Sequence, residues 1–417
     1  MEFSDLPQFD HDEVASRAPP GFLARCRLQM PLVRLTSAVP ERNLLMVVGP
    51  DAVREVFLDA ENISSTDHPQ SRRFDSDVTP QTACIYAQQG LNLKNIAVWS
   101  DGAYHARVRK LIQFAFSTTQ VAAKAPRIQA TIGRLLEEIA AGGRTTDFVP
   151  DFANRLPTIV IAQEFGLDAG EVARVREVTD LVSAMVDTLA PPEMTARAAP
   201  AIVELQKLLI RRLERPEPLP EACLLRHLAE ARAEGEPALS RSELLWLATL
   251  ILAAGGHTTA GMLSWCAYML ASRPDLADRL RAAPAKIEDF VEETLRIHNP
   301  VRSHFRRVVR DVAIGGVIVP RGTLLAVRVD SLNLDERIWQ DPDAFDMDRP
   351  NVNRHSTFGA GKHFCIGNLL ARKELNLTVA SLLRRFKVIR FSGDPAAIQP
   401  FHSFEFHILT GLPLILE

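Results

Sequence analysis

A chain of 417 residues that is 47% hydrophobic and 24% charged can bury a large core, and its formal net charge of -3 gives it no bias toward polyanions. Nucleic acid is therefore excluded as an expected partner. The five cysteines, Cys26, Cys84, Cys223, Cys266 and Cys365, are odd in number and scattered without a CxxC pair, which fits free thiols in a reducing, cytoplasmic setting.

The opening MEFSDLPQFDHDEV is acidic and broken by proline, unlike a basic and then apolar leader, so residues 1–20 are expected to be irregular. The β-branched runs PLVRLTSA (31–38) and NLLMVVG (43–49) read as short strands. Between residues 103 and 300 helical periodicity prevails. Proline-bearing stretches at 190–200 and 214–222, SRPD at 272–275 and HNP at 298–300 are expected to divide it into separate helices. Within it, Leu244 to Ser272 carries no Asp, Glu, Lys or Arg and is long enough to cross a bilayer. Its centre reads AAGGHTTA, polar and glycine-rich, which argues against a membrane span and for a helix that is apolar on every face and runs through a globular protein. Further strands are expected at VAIGGVIVP (312–320), TLLAVRV (323–329), FKVIRF (386–391) and FEFHILTG (404–411). No linker, repeat or low-complexity tract divides the chain, so a single domain over 1–417 is expected, mostly α, with small sheets assembled from the two ends.

Cys365 has a setting that the other thiols lack. After it, Ile366, Leu369, Leu370, Leu375, Val379 and Leu382 recur at helical spacing, so it stands where a loop enters a helix. Unpaired N–H groups there favour a thiolate and would lower the thiol pKa from its reference of about 8.5. Gly359, Gly361 and Gly367 let the backbone turn and admit something flat and bulky. Four uses compete: a buried structural cysteine, a zinc ligand with His363 and His355, a Cys/His nucleophile, and the axial ligand of a haem iron. The first explains neither the glycines nor His363, the second lacks four close N/S ligands, and the third lacks an oxyanion or triad pattern.

The run Phe358-Gly359-x-Gly361-x-His363-x-Cys365-x-Gly367 resembles the haem-binding signature of the cytochrome P-450 family, the haem-thiolate monooxygenases. The resemblance implies the P-450 fold, with haem b between the long central helix and the cysteine loop and helix. It makes Cys365 the iron ligand, a thiolate that donates electron density and favours O–O cleavage. Glu293-x-x-Arg296 in EETLRIHNP resembles the family's ExxR, and Arg349 in FDMDRP would complete a Glu293–Arg296–Arg349 ion cluster under the loop. Taken alone, Glu and Arg three apart on a helix are an ordinary surface pair. The resemblance also assigns the haem propionates to His105 and Arg109 of YHARVRKL, to Arg306 of HFRRVVRD and to His363.

On the oxygen side the family carries A-G-x-(Asp/Glu)-Thr-(Thr/Ser), and this chain reads Ala254-Gly255-Gly256-His257-Thr258-Thr259. Small residues at 253–256 would leave room for dioxygen, and Thr258 would hold a water that donates to it. His257 replaces the acid. It is either a proton relay that makes coupling depend on pH around the imidazole titration, or a packed residue with protons arriving through water and Thr258.

No GxGxxG fingerprint occurs, so electrons from NAD(P)H must arrive through an external partner. The resemblance implies a ferredoxin and its reductase, and Lys110, Lys362, Arg372 and Lys373 offer it a basic docking face. By family position the substrate pocket would be lined by residues 82–98, Leu250, Ala253, Ala254, Val301, Arg302 and the turn from Phe404 to Thr410. These are mainly apolar, which points to a small or medium apolar organic substrate, with Arg302 either pairing a substrate carboxylate or turning outward to solvent or to a propionate. The expected function is monooxygenation by Thr258-assisted O–O scission. Its rivals are a haem-thiolate enzyme with peroxide-driven or non-oxygenating chemistry, and a non-catalytic haem-binding sensor or carrier, which would need an output domain.

Overall fold

Strand alternation builds the sheet that frames one side of the protein. The computed structural model describes residues 2–11, 13–14, 21–37, 43–66, 80–87, 97–187, 193–215, 219, 223–232, 235–401 and 403–417. Its strands are β1 (Gln8–Asp10), β2 (Leu32–Thr36), β3 (Leu44–Val47), β4 (Ile63–Ser64), β5 (Thr145–Asp147), β6 (Ser303–Val308), β7 (Val312–Ile314), β8 (Val317–Val319), β9 (Leu324–Arg328), β10 (Ile389–Phe391) and β11 (Pro413–Leu416). The largest sheet has the order β1-β2-β3-β9-β6-β4, with β1/β2 and β3/β9 parallel and the other pairs antiparallel. Leu32, Leu45, Val47, Leu325 and Val327 pack in one apolar cluster, and Val33, Leu35, Leu44, Met46 and Ala326 in another. That is the period of two by which successive side chains leave opposite faces.

Three sequence expectations are corrected. The N-terminal segment is not wholly irregular: Gln8–Asp10 pairs with Arg34–Thr36, and Phe9 buries its ring edge-on against Phe22 at 5.1 Å. Residues 15–20 lie outside the described set. Pro200 does not end a helix but lies inside Glu193–Glu214, where a buried stripe including Ala198, Ile202, Leu205 and Leu209 outweighs one missing backbone hydrogen bond. FEFHILTG is not a strand; it makes only isolated bridges, Phe406 to Val301 and Leu409 to Pro400, and the strand follows it at β11.

The remaining apolar mass is helical. The helix Arg241–Ser272 starts at a capping box, where Ser240 N–H donates to Glu243 Oε2 at 2.7 Å and Glu243 N–H donates to Ser240 Oγ at 3.3 Å. It ends at Ser272, just before Pro274 opens the next helix. Among the described residues it is the one helix long and apolar enough to cross a membrane, and most of that window is buried inside the protein. It packs against Arg155–Glu164, Ala169–Val186 and Asn368–Arg385, the last being the helix that follows Cys365.

Candidate active site

Between the middle of Arg241–Ser272 and the loop Phe358–Gly367 lies a cavity of about 470 Å³, lined mostly by apolar side chains. The loop's turns depend on two glycines. Gly359 and Gly361 have φ of 71° and 67°, and a Cβ on Gly361 would stand 2.6 Å from the Phe57 carbonyl oxygen. The Cys365 N–H donates to Phe358 O at 2.9 Å, closing the loop so that Cys365 lines the cavity. Gly367 caps the helix Asn368–Arg385, and a Cβ there would sit at an ordinary 3.9 Å from Cys365 Sγ.

The loop rests on a dense polar support. Arg296, fully buried, donates to Glu293 through Nε at 2.7 Å and Nη2 at 2.8 Å, and Arg349 Nε donates to Glu293 Oε1 at 3.1 Å. The three residues of the expected ion cluster are thus brought together. Beside them Glu292 accepts from both sides of the Arg372 guanidinium at 2.7 and 2.9 Å and pairs with His355 at 3.1 Å. Burial opposes the charge on Glu292, yet His355 and Arg372 hold its carboxyl down to about 2. Arg372 also lies 4.3 Å over the Phe358 ring. It is therefore committed to holding the loop, which corrects its placing on a free docking face; Lys110 and Lys362 are exposed and Lys373 is half-buried. His355 is spent in the same way, and no metal-binding cluster of His, Cys, Asp and Glu exists among the described residues.

Cys365 is exposed to the open cavity. Enclosure by the cavity walls pushes its pKa up, and the N–H groups of Gly367 and Asn368, with Arg109 and Arg372, pull it down. The helix start is a real influence here, but desolvation of the anion is larger.

At one edge of the cavity, basic groups converge. Arg109 Nη2 donates to Phe364 O at 2.6 Å, and the His105 and His363 rings lie tilted against each other with centroids 4.1 Å apart. Burial first, then the charges of His363 and Arg109, push His105 down to about 4. His363 is paired with Asp101 at 3.1 Å. Asp101 also accepts from Ser64 Oγ at 2.6 Å and Ser65 N–H at 2.7 Å, bonds that outweigh burial and keep its carboxyl ionised. Arg306 donates to Phe305 O at 2.7 Å and lies 5.7 Å over the Phe57 ring. Burial pushes it down to about 10, and it makes no ion pair with a described residue. Two guanidinium groups and two imidazoles against one carboxylate leave an excess of donors, which fits a ligand bearing two carboxylates. With a sulfur on the same cavity and a glycine turn that clears its floor, the residues present fit haem.

On the opposite wall, Thr258 Oγ1 donates to Ala254 O at 2.9 Å, and Leu250, Ala253, Ala254 and Val301 line the cavity as expected. Gly256 does not open space for oxygen: a Cβ there would come within 3.0 Å of Thr179 Cγ2, so its small size serves helix packing instead. His257 lines the cavity edge-on to Phe406 at 5.6 Å, and burial pushes it down to about 4. Arg302 is turned away. Its N–H donates to Glu405 O at 2.6 Å and its Nε lies 3.9 Å from Asp330, which Arg328 grips at 2.8 and 2.5 Å. From 82–98, Val98 lines the cavity while 88–96 lie outside the described residues; from Phe404–Thr410, Glu405 and Phe406 do so.

Sequence reasoning passed over Asp101, His304 and Glu374. Asp101 stands at the N-cap of Gly102–Ile112, a signal that was present. Glu374 falls on the apolar stripe of Leu370, Leu375 and Val379; it lines the cavity, its Oε2 has no partner, and burial pushes its carboxyl up to about 8.

A sequence model of the family described as Cytochrome P-450 matches residues 198–409, just over half of the chain. Cytochrome P-450 107B1 of Saccharopolyspora erythraea is 36% identical over 71% of this chain and 71% of its own length. Nocardicin C N-oxygenase of Nocardia uniformis is 31% identical over 93% of this chain and 92% of its own. Among solved structures, the P-450 enzyme CxnD, for C–S bond formation in chuangxinmycin biosynthesis, is 25% identical with a TM-score of 0.83, covering 99% of this chain and 98% of that one. P-450BioI, in its complex with an acyl-ligated acyl carrier protein, shares the fold at a TM-score of 0.83, covering 97% and 100%. The chain belongs to the cytochrome P-450 family, haem-thiolate monooxygenases that carry haem b and draw on NAD(P)H through a redox partner.

Proposed function

We propose that this enzyme inserts one atom of dioxygen into a small to medium, mainly apolar organic molecule, with electrons delivered by a separate ferredoxin in the cytoplasm. The observation that carries the reading is that Cys365 and Thr258 line one cavity whose remaining wall is apolar. Cys365 would hold the iron, and Arg109, His105, Arg306 and His363 would hold the propionates. Phe358, Gly359 and Gly367 shape the loop, and Glu293, Arg296 and Arg349 fix it from beneath. Haem, when bound, supplies a thiolate-ligated iron at which dioxygen is cleaved.

The chain's own residues do the rest. Leu250, Ala253, Ala254 and Val301 exclude water and orient an apolar substrate, and Arg302, tied to Asp330, does not select for a carboxylate. Thr258 donates to Ala254 O, which leaves its hydroxyl oxygen able to accept from a water held beside it. His257, neutral because burial holds its pKa near 4, has one nitrogen to accept a proton and one to donate. With that pKa the relay does not titrate between pH 6 and 8, so the pH dependence expected for an exposed imidazole moves to lower pH. Exposed Lys362, two residues before exposed Phe364, and exposed Lys110, next to Arg109 in the chain, give an acidic iron–sulfur partner basic groups to dock on.

The test is turnover with NAD(P)H, a ferredoxin and reductase, isotopically labelled dioxygen and a library of apolar compounds. One labelled oxygen per product is expected. Product only with added peroxide, or product that gains no oxygen, would replace the reading with one of its enzymatic rivals; saturable binding without any turnover would favour a carrier.

A further inference from the structure

One buried nitrogen of the cavity has no task so far. His304 lies on β6 two residues before Arg306, so both side chains leave the same face of the strand, and both line the cavity. The His304 ring stands edge-on to Phe57 at 5.8 Å, and Arg306 covers that same ring at 5.7 Å. His304 Nε2 is shut off from solvent and has no hydrogen-bond partner. It points at the cysteine loop, since a Cβ on Gly359 would lie 3.9 Å from it. Burial, aided by the charges of Arg306 and His363, pushes the ring down to about 3, so it is neutral and can present a single N–H. A buried donor without an acceptor is unfavourable unless a ligand completes it. The groups around it, Arg306, His363 and Arg109, are those of an anion site whose one carboxylate, Asp101, is already held by His363, Ser64 and Ser65.

We propose that His304 Nε2–H is a further donor to a haem propionate, forming with Arg306 a two-pronged clamp from one strand; this rests on the reading that the cavity holds haem. Arg306 supplies the charge and His304 a neutral, directional hydrogen bond. The clamp therefore adds grip without adding a further cation beside Arg306.

The experiment uses the haem-loaded enzyme and three variants: His304→Phe, which keeps a ring without the donor, His304→Leu, which is less prone to overpack, and His304→Gln, which keeps a donor. Haem transfer to excess apomyoglobin and the propionate bending band in resonance Raman spectra are measured for each. Loss of a hydrogen bond to a charged group predicts haem release roughly tenfold faster or more in His304→Phe and His304→Leu, with a shifted propionate band, and both restored toward wild type in His304→Gln. Wild-type release and an unchanged band in both apolar variants would overturn the clamp, as would a His304→Gln variant no better than they are. A wild-type protein that takes up no haem would instead overturn the reading beneath it, so the two failures are distinct.

Discussion

The two walls of the cavity are built on opposite principles. Beneath the cysteine loop nearly every side chain is fixed by a named polar partner: Glu293 by two arginines, Glu292 by Arg372 and His355, and Thr357 by Leu295 O at 2.8 Å and by Asn333 at 2.9 Å. Across the cavity the wall is mostly apolar; among its polar residues Thr258 is bonded to its own helix, and His257 leans on Phe406. Fixed geometry demands particular residue types at particular spacings, and shape does not. The first wall therefore states what the chemistry is, while the second sets what enters, in a form that many apolar sequences would satisfy equally.

Breaking the polar wall gives the largest effect. Glu293→Ala leaves two buried guanidinium groups without their carboxylate, which costs about 3–5 kcal/mol, and loss of folded, haem-bearing protein is the expected outcome in denaturant titrations and haem assays. A substitution of the same size in the opposite wall, Leu250→Ala, leaves haem content unchanged and alters which compounds bind.

Glu374 sharpens the contrast, being the acid on the loop's own helix that lacks a partner at Oε2. Its folded pKa of about 8 lies above its unfolded value, so the folded state holds a proton that the unfolded chain has released. Its contribution is fully present below pH 4.5 and lost as pH rises through 8. Glu374→Gln, permanently neutral, removes that loss. The expected gain in stability is on the order of 1–3 kcal/mol at pH 8 and vanishes near pH 4; an equal gain at both pH values would contradict the assignment.

In the opposite wall, Thr258→Ala and His257→Ala test proton delivery. Each is expected to lower product formed per NAD(P)H by roughly tenfold, well within the range of lost acid–base help, with haem content and spectra unaltered. If His257→Ala couples as well as wild type from pH 6 to 8, His257 is a packed residue and protons reach Thr258 through water alone. The smallest effect is expected at Arg302: Arg302→Gln leaves the affinities for acidic and neutral analogues within about twofold, since the side chain faces Asp330 rather than the cavity.

What the sequence made legible follows the same division. Cys365 with its glycines, the Glu293–Arg296 spacing and His105 with Arg109 are local patterns, and local geometry carried them into place. The central helix was legible from its unbroken apolar run. Asp101 was legible as an N-cap, but its pairing with His363, 262 residues away, was not, and neither was His304, a lone histidine on a short strand. Arg302 was misplaced by position in the chain; its guanidinium lies beside Asp330, a neighbour that only the fold supplies. Gly256 was small for its helix neighbour Thr179, and Pro200 was tolerated by a buried stripe around it; both are decisions of tertiary packing. The helix-start argument for the Cys365 thiolate was sound in sign, and the desolvation that opposes it comes from the surrounding cavity walls, which are invisible in one dimension.

The central claim is that Cys365 holds haem iron through sulfur. The most direct test is the absorption spectrum of the reduced, CO-bound protein beside Cys365→His. The wild type should give the red-shifted band of thiolate-ligated haem and the variant the band of histidine-ligated haem. A histidine-type band in freshly prepared wild-type protein, or a thiolate band that survives in Cys365→His, would contradict it.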